Sequence, residues 1–333
     1  MKRILKYILV LIGLLTLVYF MGPQPTTPVY TSVLPEVPSD ASALEQWIAA
    51  KEATQKVKPD NEANIVWAND SLRNQTEYVL LYLHGFSASH EEGSPVHRNT
   101  AKRFGCNLFL ARLADHGVDT IAPMYEFTAE RLWNSAVEAY AVAKQLGKKI
   151  IVIGTSTGGT LALQLAATYP EIAGMILLSP NVRISDPNSK LLNDPWGLQI
   201  AKMVIGRDYM LTKDQRPIYK KYWYSRYPLE PLPQLQELVE TTMTPSTFAK
   251  IKQPTLLLYY YKDEAHQDKV VSVPAMLEMF EQLGTDAAFK QKKAMPNTGD
   301  HVIGSYIKSN DYQGVESEIS LFLSNTLKLQ MQQ

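Results

Sequence analysis

Buried strands and helices alternate along most of this chain, and this alternation constrains the fold more than any other feature. Continuous apolar runs at 78–83, 149–153 and 174–178 are typical of parallel strands that are buried on both faces. Stretches with helical periodicity, such as 128–146, separate these runs. The order predicts an α/β protein with a mostly parallel, doubly wound sheet.

The alternation extends to both ends of the chain but is interrupted once. The predicted strands are at 63–67, 78–83, 107–111, 149–153, 174–178, 254–260 and 288–294, and the predicted helices are near 40–54, 96–104, 128–146, 159–169, 273–283 and 311–327. Residues 181–249 break the pattern, are rich in aromatic residues and prolines, and are too long for a plain loop. We interpret them as a helical cap over the carboxyl ends of the strands. The alternative is an insertion whose aromatic side chains only pack on one another.

These breaks divide the chain into segments. Residues 1–22 form an N-terminal membrane anchor or signal segment, and 23–62 form a linker, rich in proline and threonine up to residue 38, followed by a leading helix. The α/β core comprises 63–180 and 250–333, with the cap at 181–249 between its two parts.

The N-terminal segment has the polarity of a membrane-targeting sequence. Lys2, Arg3 and Lys6 precede an apolar run at 7–21, which closes on bulky residues where a signal peptidase needs small ones. We predict an uncleaved signal anchor: one helix crosses the membrane, the basic flank stays cytoplasmic, and the core is extracytoplasmic. The alternative is a cleaved signal peptide, which would give a secreted or periplasmic protein.

Charge and cysteine content argue against several other classes of protein. Lysine plus arginine and aspartate plus glutamate both total 33, so no net charge attracts nucleic acid. Cys106 is the only cysteine, so no disulfide can form within the chain. Because there is no His/Cys cluster and no H-E-x-x-H spacing, we expect neither a metal nor a cofactor.

The motif Gly154-Thr155-Ser156-Thr157-Gly158 lies between a predicted buried strand and a helix rich in small residues. G-x-S-x-G is common by chance, but on a strand-to-helix turn it forms a nucleophile elbow. The helix N-terminus there offers N–H groups and positive potential to a developing oxyanion. We predict that Ser156 is a catalytic nucleophile. The alternative is a tight turn with an ordinary N-cap serine.

A serine nucleophile needs a base that is oriented by a carboxylate. Only His266 and His301 follow Ser156, and His301 lies in a predicted turn between the last strand and the last helix. We therefore predict His301 as the base. Asp268, just before a short apolar step into a helix, is the preferred acid, and Asp263, nearer the strand end, is kept in reserve.

An acyl-transfer site also needs donors for the oxyanion. His84-Gly85-Phe86 ends the first long strand, and its glycine lets the backbone come close to the serine. We predict the backbone N–H groups of Phe86 and Thr157 as the two donors. His84 is then a residue that shapes the loop.

These motifs together resemble the α/β-hydrolase superfamily, in particular its carboxylesterase and monoacylglycerol-lipase-like branch. They include Asp268-Lys269-Val270-Val271 and Gly299-Asp300-His301-Val302, while Asp115-His116-Gly117 is similar to a shortened Asp-x-x-Gly-His-Gly loop of that branch. The resemblance spans about 64–328 without the cap. The resemblance implies that Ser156 is the nucleophile, Asp268 the acid and His301 the base. It also implies that the backbone amides of Phe86 and Thr157 form the oxyanion hole.

The resulting functional hypothesis is a serine hydrolase that cleaves small-molecule carboxylic esters through an acyl-enzyme on Ser156. An aromatic cap suits an apolar acyl group. A thioesterase, lactonase or amidase would use the same triad. A second hypothesis is a non-catalytic, membrane-anchored binding protein with a hydrolase fold.

Overall fold

The computed structural model describes residues 2–332. Over these residues the α-helices are α1 (Lys2–Phe20), α2 (Ala41–Glu52), α3 (Val96–Phe104), α4 (Ala129–Leu146), α5 (Thr157–Thr168), α6 (Gly197–Ile205), α7 (Pro217–Tyr222), α8 (Pro231–Thr242), α9 (Pro245–Lys250), α10 (Val273–Gln282) and α11 (Tyr312–Asn325). The strands are β1 (Asn64–Val66), β2 (Thr76–Leu83), β3 (Asn107–Leu110), β4 (Gly147–Thr155), β5 (Gly174–Leu178), β6 (Tyr209–Leu211), β7 (Arg226–Pro228), β8 (Thr255–Tyr259) and β9 (Lys290–Ala294).

One seven-stranded sheet forms the centre of the molecule, with the strand order β1-β3-β2-β4-β5-β8-β9. β1 pairs antiparallel with β3, and all the other neighbours in this sheet are parallel. The predicted α/β fold class with a mostly parallel, doubly wound sheet is therefore confirmed. From β2 the chain goes first to β3 on one side and then to β4 on the other. Ligands bind at such a switch point, outside the carboxyl ends of the strands.

Apolar side chains on the two faces of the sheet form two separate cores. In β2, Val79, Leu81 and Leu83 belong to one core, whereas Leu80 and Tyr82 belong to the other. This alternation follows from the two-residue period of a strand. Helices α4, α5 and α10 cover the first face, and α3 and α11 cover the second.

The insertion between β5 and β8 contains both helices and a small sheet. Helices α6, α7 and α8 lie within the predicted cap, and α9 crosses its predicted boundary at residue 249. The strands β6 and β7 pair antiparallel in a separate two-stranded sheet, which the sequence analysis did not anticipate. Each of these strands has only three residues, which explains why no periodic pattern was visible.

The proline-rich segment at 23–38 contains no helix or strand and lies against the body of the protein. The indole Nε1 of Trp133 donates to the carbonyl of Thr31 at 2.8 Å, and the hydroxyl of Tyr169 donates to the carbonyl of Ser32 at 3.1 Å. Tyr30 packs on the apolar core beneath. Although the segment is extended, these contacts attach it to α4 and α5.

Helix α1 exposes its apolar side chains along its whole length. Its stretch Arg3–Phe20 is long and apolar enough to cross a membrane, and none of it is buried in the protein. The indole N–H of Trp196 donates to the carbonyl oxygen of Val18 at 3.0 Å. The backbone N–H of Trp196 donates to the carbonyl oxygen of Pro23, also at 3.0 Å. The end of α1 therefore meets the cap at the residue before α6.

Two adjacent residues of α11 give a direct test of the core between this helix and the sheet. Phe322 is fully buried, whereas Leu321 is 52% exposed. We expect Phe322→Ala to lower the free energy of unfolding by about 3–5 kcal/mol, because it leaves a cavity. Leu321→Ala should change that free energy by no more than about 0.5 kcal/mol. Chemical denaturation of the two variants measures the difference, and equal losses would contradict this packing of α11.

Candidate active site

Ser156 occupies the sharp turn between β4 and α5. Its backbone has φ 54° and ψ −119°, a left-handed conformation that costs a residue with a side chain about 1–3 kcal/mol. The Ser156 N–H donates to the Leu178 carbonyl at 3.0 Å, and the Asn181 N–H donates to the Ser156 carbonyl at 2.9 Å. The strained turn is therefore held by the end of β5 and by the loop that follows it.

The two glycines of the motif are required by close backbone packing. A Cβ atom on Gly154 would lie 2.4 Å from the Gly158 carbonyl oxygen, and one on Gly158 would lie 2.0 Å from the Leu83 carbonyl oxygen. Neither position leaves room for a side chain. The G-x-S-x-G spacing thus allows α5 to start directly against the ends of β4 and β2.

Asp268 and His301 lie in the loops after β8 and β9 and form a buried pair. Oδ2 of Asp268 is 2.6 Å from Nδ1 of His301, and the two side chains are 0% and 10% exposed. Oδ1 of Asp268 accepts the backbone N–H groups of Val270 at 2.8 Å and Val271 at 3.1 Å. With both carboxylate oxygens engaged, the imidazole is fixed with its proton on Nδ1.

The charged forms of Asp268 and His301 stabilise each other. Burial alone would raise the pKa of Asp268, but His301 and the two backbone N–H groups lower it below the ordinary value. Burial alone would lower the pKa of His301, but attraction to Asp268, their hydrogen bond and the nearby Glu92 raise it above the ordinary value. The surroundings therefore stabilise His301 when it accepts a second proton.

The other ring nitrogen of His301 is not engaged by the pair with Asp268. Nε2 is buried and has no hydrogen-bond partner among residues 2–332. His301 and Ser156 both line a cavity of about 720 Å³. With the proton on Nδ1, the lone pair of Nε2 is free to accept a proton inside this cavity.

Asp263, the reserve candidate for the acid, lies elsewhere. Its Oδ1 is 2.8 Å from Nδ1 of His266, and the two side chains are 51% and 64% exposed. Asp300, the neighbour of His301, accepts the Val302 N–H at 3.0 Å and pairs with Lys308. Of these acids, Asp268 is the one that the structure brings to His301.

The loop His84-Gly85-Phe86 continues from β2 along the same edge of the sheet. His84 is fully buried, its Nε2 accepts the Leu113 N–H at 3.1 Å, and its Nδ1 is 2.9 Å from the Gly85 carbonyl oxygen. Burial, and to a smaller extent the nearby His116, hold the pKa of His84 well below the ordinary value, so the ring is neutral. Its two hydrogen-bonding nitrogens connect this loop to the loop after β3.

Phe86 and Thr157, the predicted oxyanion donors, both border the cavity that contains Ser156. Within residues 2–332, neither backbone N–H donates a hydrogen bond to another part of the chain. Thr157 is the first residue of α5, where helical N–H groups have no partner inside the helix. Both donors are therefore available to a ligand.

Side chains of the 181–249 segment form much of the cavity wall. Most of them are apolar or aromatic: Met210, Tyr219, Trp223, Tyr227, Leu232 and Leu235. They lie in β6, β7, α7, α8 and the connections between these elements. The cavity therefore lies between the carboxyl edge of the sheet and this insertion.

A model of the alpha/beta hydrolase family matches residues 80–305. The chain belongs to the alpha/beta hydrolase family. A thermostable monoacylglycerol lipase from Bacillus sp. (strain H-257) is 30% identical to this hydrolase over 190 residues, which are 56% of this chain and 70% of that lipase. The resemblance to the carboxylesterase and monoacylglycerol-lipase-like branch is thus confirmed, and the protein is an esterase- and lipase-like enzyme.

Solved structures of lower identity share the fold of this hydrolase. One from work on the metagenome-derived lipolytic enzymes LipS and LipT has a TM-score of 0.62 at 18% identity, covering 80% of this chain and 98% of its own. Est1E from Butyrivibrio proteoclasticus with bound ferulic acid has a TM-score of 0.57 at 17% identity, covering 80% of this chain and 95% of its own. At these identities the likeness concerns the fold alone.

The hydrolase also places polar residues in the cavity that the sequence analysis did not single out. Glu92 and Asn181 line it, and each is at most 3% exposed. Asn181 follows the end of β5, a position where ligand contacts are common, so the strand pattern could have indicated it. Nothing in the sequence around Glu92 indicates that it is buried, because two consecutive glutamates such as Glu91 and Glu92 usually face solvent. Residues 2–332 contain no group of three or more His, Cys, Asp or Glu side chains arranged to hold a metal.

Proposed function

We propose that this hydrolase cleaves carboxylic esters through an acyl-enzyme on Ser156. The observation that carries the proposal is the buried Asp268–His301 pair, whose histidine has an unpaired Nε2 and lines the same cavity as the strained serine. Three separate loops supply these residues, and an ordinary packing requirement would not bring them together. The similarity to a monoacylglycerol lipase supports the same bond type.

The first half of the reaction follows from this arrangement. Ser156 Oγ attacks the ester carbonyl carbon while Nε2 of His301 takes the hydroxyl proton. The carbonyl oxygen becomes an oxyanion, which the N–H groups of Phe86 and Thr157 stabilise. Asp268 stabilises the imidazolium, which then donates its proton to the departing alcohol oxygen and leaves the acyl group on Ser156.

The second half repeats these steps with water. His301 takes a proton from a water molecule, which attacks the acyl carbon, and the oxyanion again binds to the two backbone N–H groups. When the intermediate collapses, the bond to Ser156 breaks, the proton returns to Oγ and the carboxylic acid leaves. A thioester, lactone or amide could react in the same way, but the relative's activity favours an ester.

The apolar wall of the cavity supports the proposal that the enzyme prefers esters with an apolar acyl group. Met210, Tyr227 and Leu235 offer no charge to a substrate, and the cavity of about 720 Å³ can hold a medium-sized ligand. Burying each methylene of an acyl chain is worth about 0.8 kcal/mol.

Covalent labelling by a fluorophosphonate probe tests the mechanism. The wild type should be labelled and Ser156→Ala should not, because the probe reacts with an activated serine. Asp268→Asn should lower kcat/KM roughly ten-thousandfold, since the imidazole loses the carboxylate that orients it. Asp263→Asn, the matched control, should stay within about threefold of the wild type.

The outcome separates the two functional hypotheses. A folded wild type that the probe does not label would refute the enzyme mechanism and favour the non-catalytic binding protein. A large loss of activity in Asp263→Asn with little loss in Asp268→Asn would instead reassign the acid.

A series of p-nitrophenyl esters of increasing acyl length tests the acyl preference. We expect kcat/KM to rise by up to about fourfold per added methylene until the cavity is filled. Met210→Asn should flatten this rise, because Met210 lines the cavity. Leu211→Asn is the matched control, since this next residue of β6 is 41% exposed. A flat series in the wild type would contradict an apolar acyl site.

We further propose that α1 anchors the enzyme in a membrane, with the catalytic domain on the extracytoplasmic side. The exposed apolar surface of α1 supports this proposal, as does the basic flank at Lys2, Arg3 and Lys6. Large apolar side chains are also exposed at Met203 and Val204 in α6, the helix whose N-cap residue Trp196 contacts the end of α1. A signal peptide that is cleaved after export remains the alternative.

Fractionation of cells that produce the full chain distinguishes anchor from signal peptide. We expect the mature protein to keep its N-terminus and to remain with membranes after an alkaline wash. Leu11→Arg combined with Leu14→Arg should weaken insertion, since each central arginine costs about 2.5–3.5 kcal/mol. Leu72→Arg, at a position 67% exposed on the body, is the control. A mature chain that begins near Pro23 would contradict the anchor.

A further inference from the structure

Glu92 is a buried carboxylate that the mechanism above does not use. It lies in a short 3-10 turn, His90–Gly93, and is only 2% exposed. Glutamate is almost never buried to this extent unless it is paired. Yet among residues 2–332, neither a lysine nor an arginine forms a salt bridge with it. Its partners are instead groups of the active site.

The first of these partners is the oxyanion loop. The backbone N–H of Gly85 donates to Oε2 of Glu92. A Cβ atom on Gly85 would lie 2.9 Å from Oε1 of Glu92 and 3.0 Å from Cβ of Ser156. The carboxylate of Glu92 and the side chain of Ser156 thus both lie close to Gly85, on the side where a side chain would be. By binding the Gly85 amide, Glu92 fixes the peptide next to the donor Phe86.

The second partner connects Glu92 to the nucleophile elbow. The hydroxyl of Tyr82 lies 3.5 Å from Oε2 of Glu92 and 3.0 Å from Oγ1 of Thr155. Thr155 directly precedes Ser156. A chain of buried polar contacts therefore runs from the turn that contains the nucleophile, through Tyr82, to the carboxylate that holds the oxyanion loop.

The third partner is the base. Glu92 and His301 line the same cavity, and the charges of Asp268, Glu92 and Asp300 all favour the protonated form of His301. Glu92 contacts Tyr82 from β2 and shares the cavity with Tyr219 and Trp223 from the cap segment and with His301 from the loop after β9. Burial raises the pKa of Glu92 to about 7, against the opposing effects of the Gly85 N–H and of His301. Glu92 and His301 therefore titrate as a coupled pair.

We propose that Glu92 is a positioning residue of this active site, which holds the Gly85 amide of the oxyanion loop and places a second negative charge beside His301. The inference rests on the mechanism proposed above. During the reaction, His301 becomes an imidazolium while Ser156 or water gives up its proton. A charge that stabilises the imidazolium therefore acts on the transition state, and its loss lowers kcat rather than raising KM.

Two substitutions separate the two roles of Glu92. Glu92→Gln keeps the length of the side chain and an oxygen that can accept the Gly85 N–H, but removes the charge. Glu92→Asp keeps the charge but withdraws the carboxylate from Gly85. Glu91→Gln is the matched control, because Glu91 precedes Glu92 in the same turn and is not among the groups that act on His301.

Two quantities are measured as a function of pH with the full-length enzyme. They are kcat/KM for a short p-nitrophenyl ester and the rate of fluorophosphonate labelling. With a pKa of about 7, Glu92 is partly ionised across the acid limb and carries its full charge above it. Removing this charge makes the imidazolium less stable, so the pKa of His301 falls and its neutral form persists to lower pH. We expect Glu92→Gln to move the acid limb of both profiles down by about half a pH unit. Its plateau rate should fall roughly threefold.

Glu92→Asp should leave the acid limb within about 0.2 pH units of the wild type while kcat falls roughly tenfold, because the oxyanion loop loses its support. The Glu91→Gln profile should superimpose on that of the wild type. A merely structural role would change the melting temperature of the Glu92 variants without moving the acid limb.

The inference is overturned if the acid limb of folded Glu92→Gln coincides with that of the wild type, or if Glu91→Gln shifts it equally. If Glu92→Gln does not fold, Glu92→Asp decides, because an unchanged kcat in that variant also overturns the inference. A wild type that the probe does not label is a different result. It removes the proposed mechanism itself rather than the part assigned to Glu92.

Discussion

The backbone turn at Ser156 is the constraint on which the rest of this molecule depends. A residue with a side chain stays in this left-handed conformation only if its surroundings supply more free energy than the strain costs. Here β5 accepts the Ser156 N–H and the following loop donates to the Ser156 carbonyl. The glycines at 154 and 158 let three backbone segments meet at contact distance. The parallel sheet is thus the frame that keeps one serine in an unfavourable geometry.

Much of this frame could be predicted from the sequence because parallel strands buried on both faces appear as continuous apolar runs. The helix α3 and the strand β5 were predicted with the bounds that they have, and β4 and α5 within about two residues. The antiparallel pairing of β1 and the small sheet of β6 and β7 were not predicted. β6 and β7 have only three residues each, too few to give a recognisable period. β1 was predicted as a strand at 63–67, but its direction in the sheet depends on the path of the chain and not on the local pattern.

The candidate site was predictable to a different extent for each residue. Ser156 and His301 follow from a motif and from chain order, which depend only on neighbours in sequence. The choice between Asp268 and Asp263 depends on how the loop after β8 folds back, and sequence spacing does not determine this. Glu92 was missed because its burial arises from Tyr82, Gly85 and the cap together. A charged residue becomes buried through contacts in three dimensions, and the local sequence gives no indication of them.

The attachment of residues 23–38 also determines how far the catalytic domain can move. Hydrogen bonds to Pro23 at its start and to Thr31 and Ser32 in its middle hold this segment against the body, so it is not a flexible tether on which the body could swing. With α1 embedded in a bilayer, as proposed, the body would tilt with that helix and keep a nearly constant height above the lipid headgroups. Such an enzyme would sample esters within a thin layer next to its own membrane, and its encounter rate would depend on lateral diffusion.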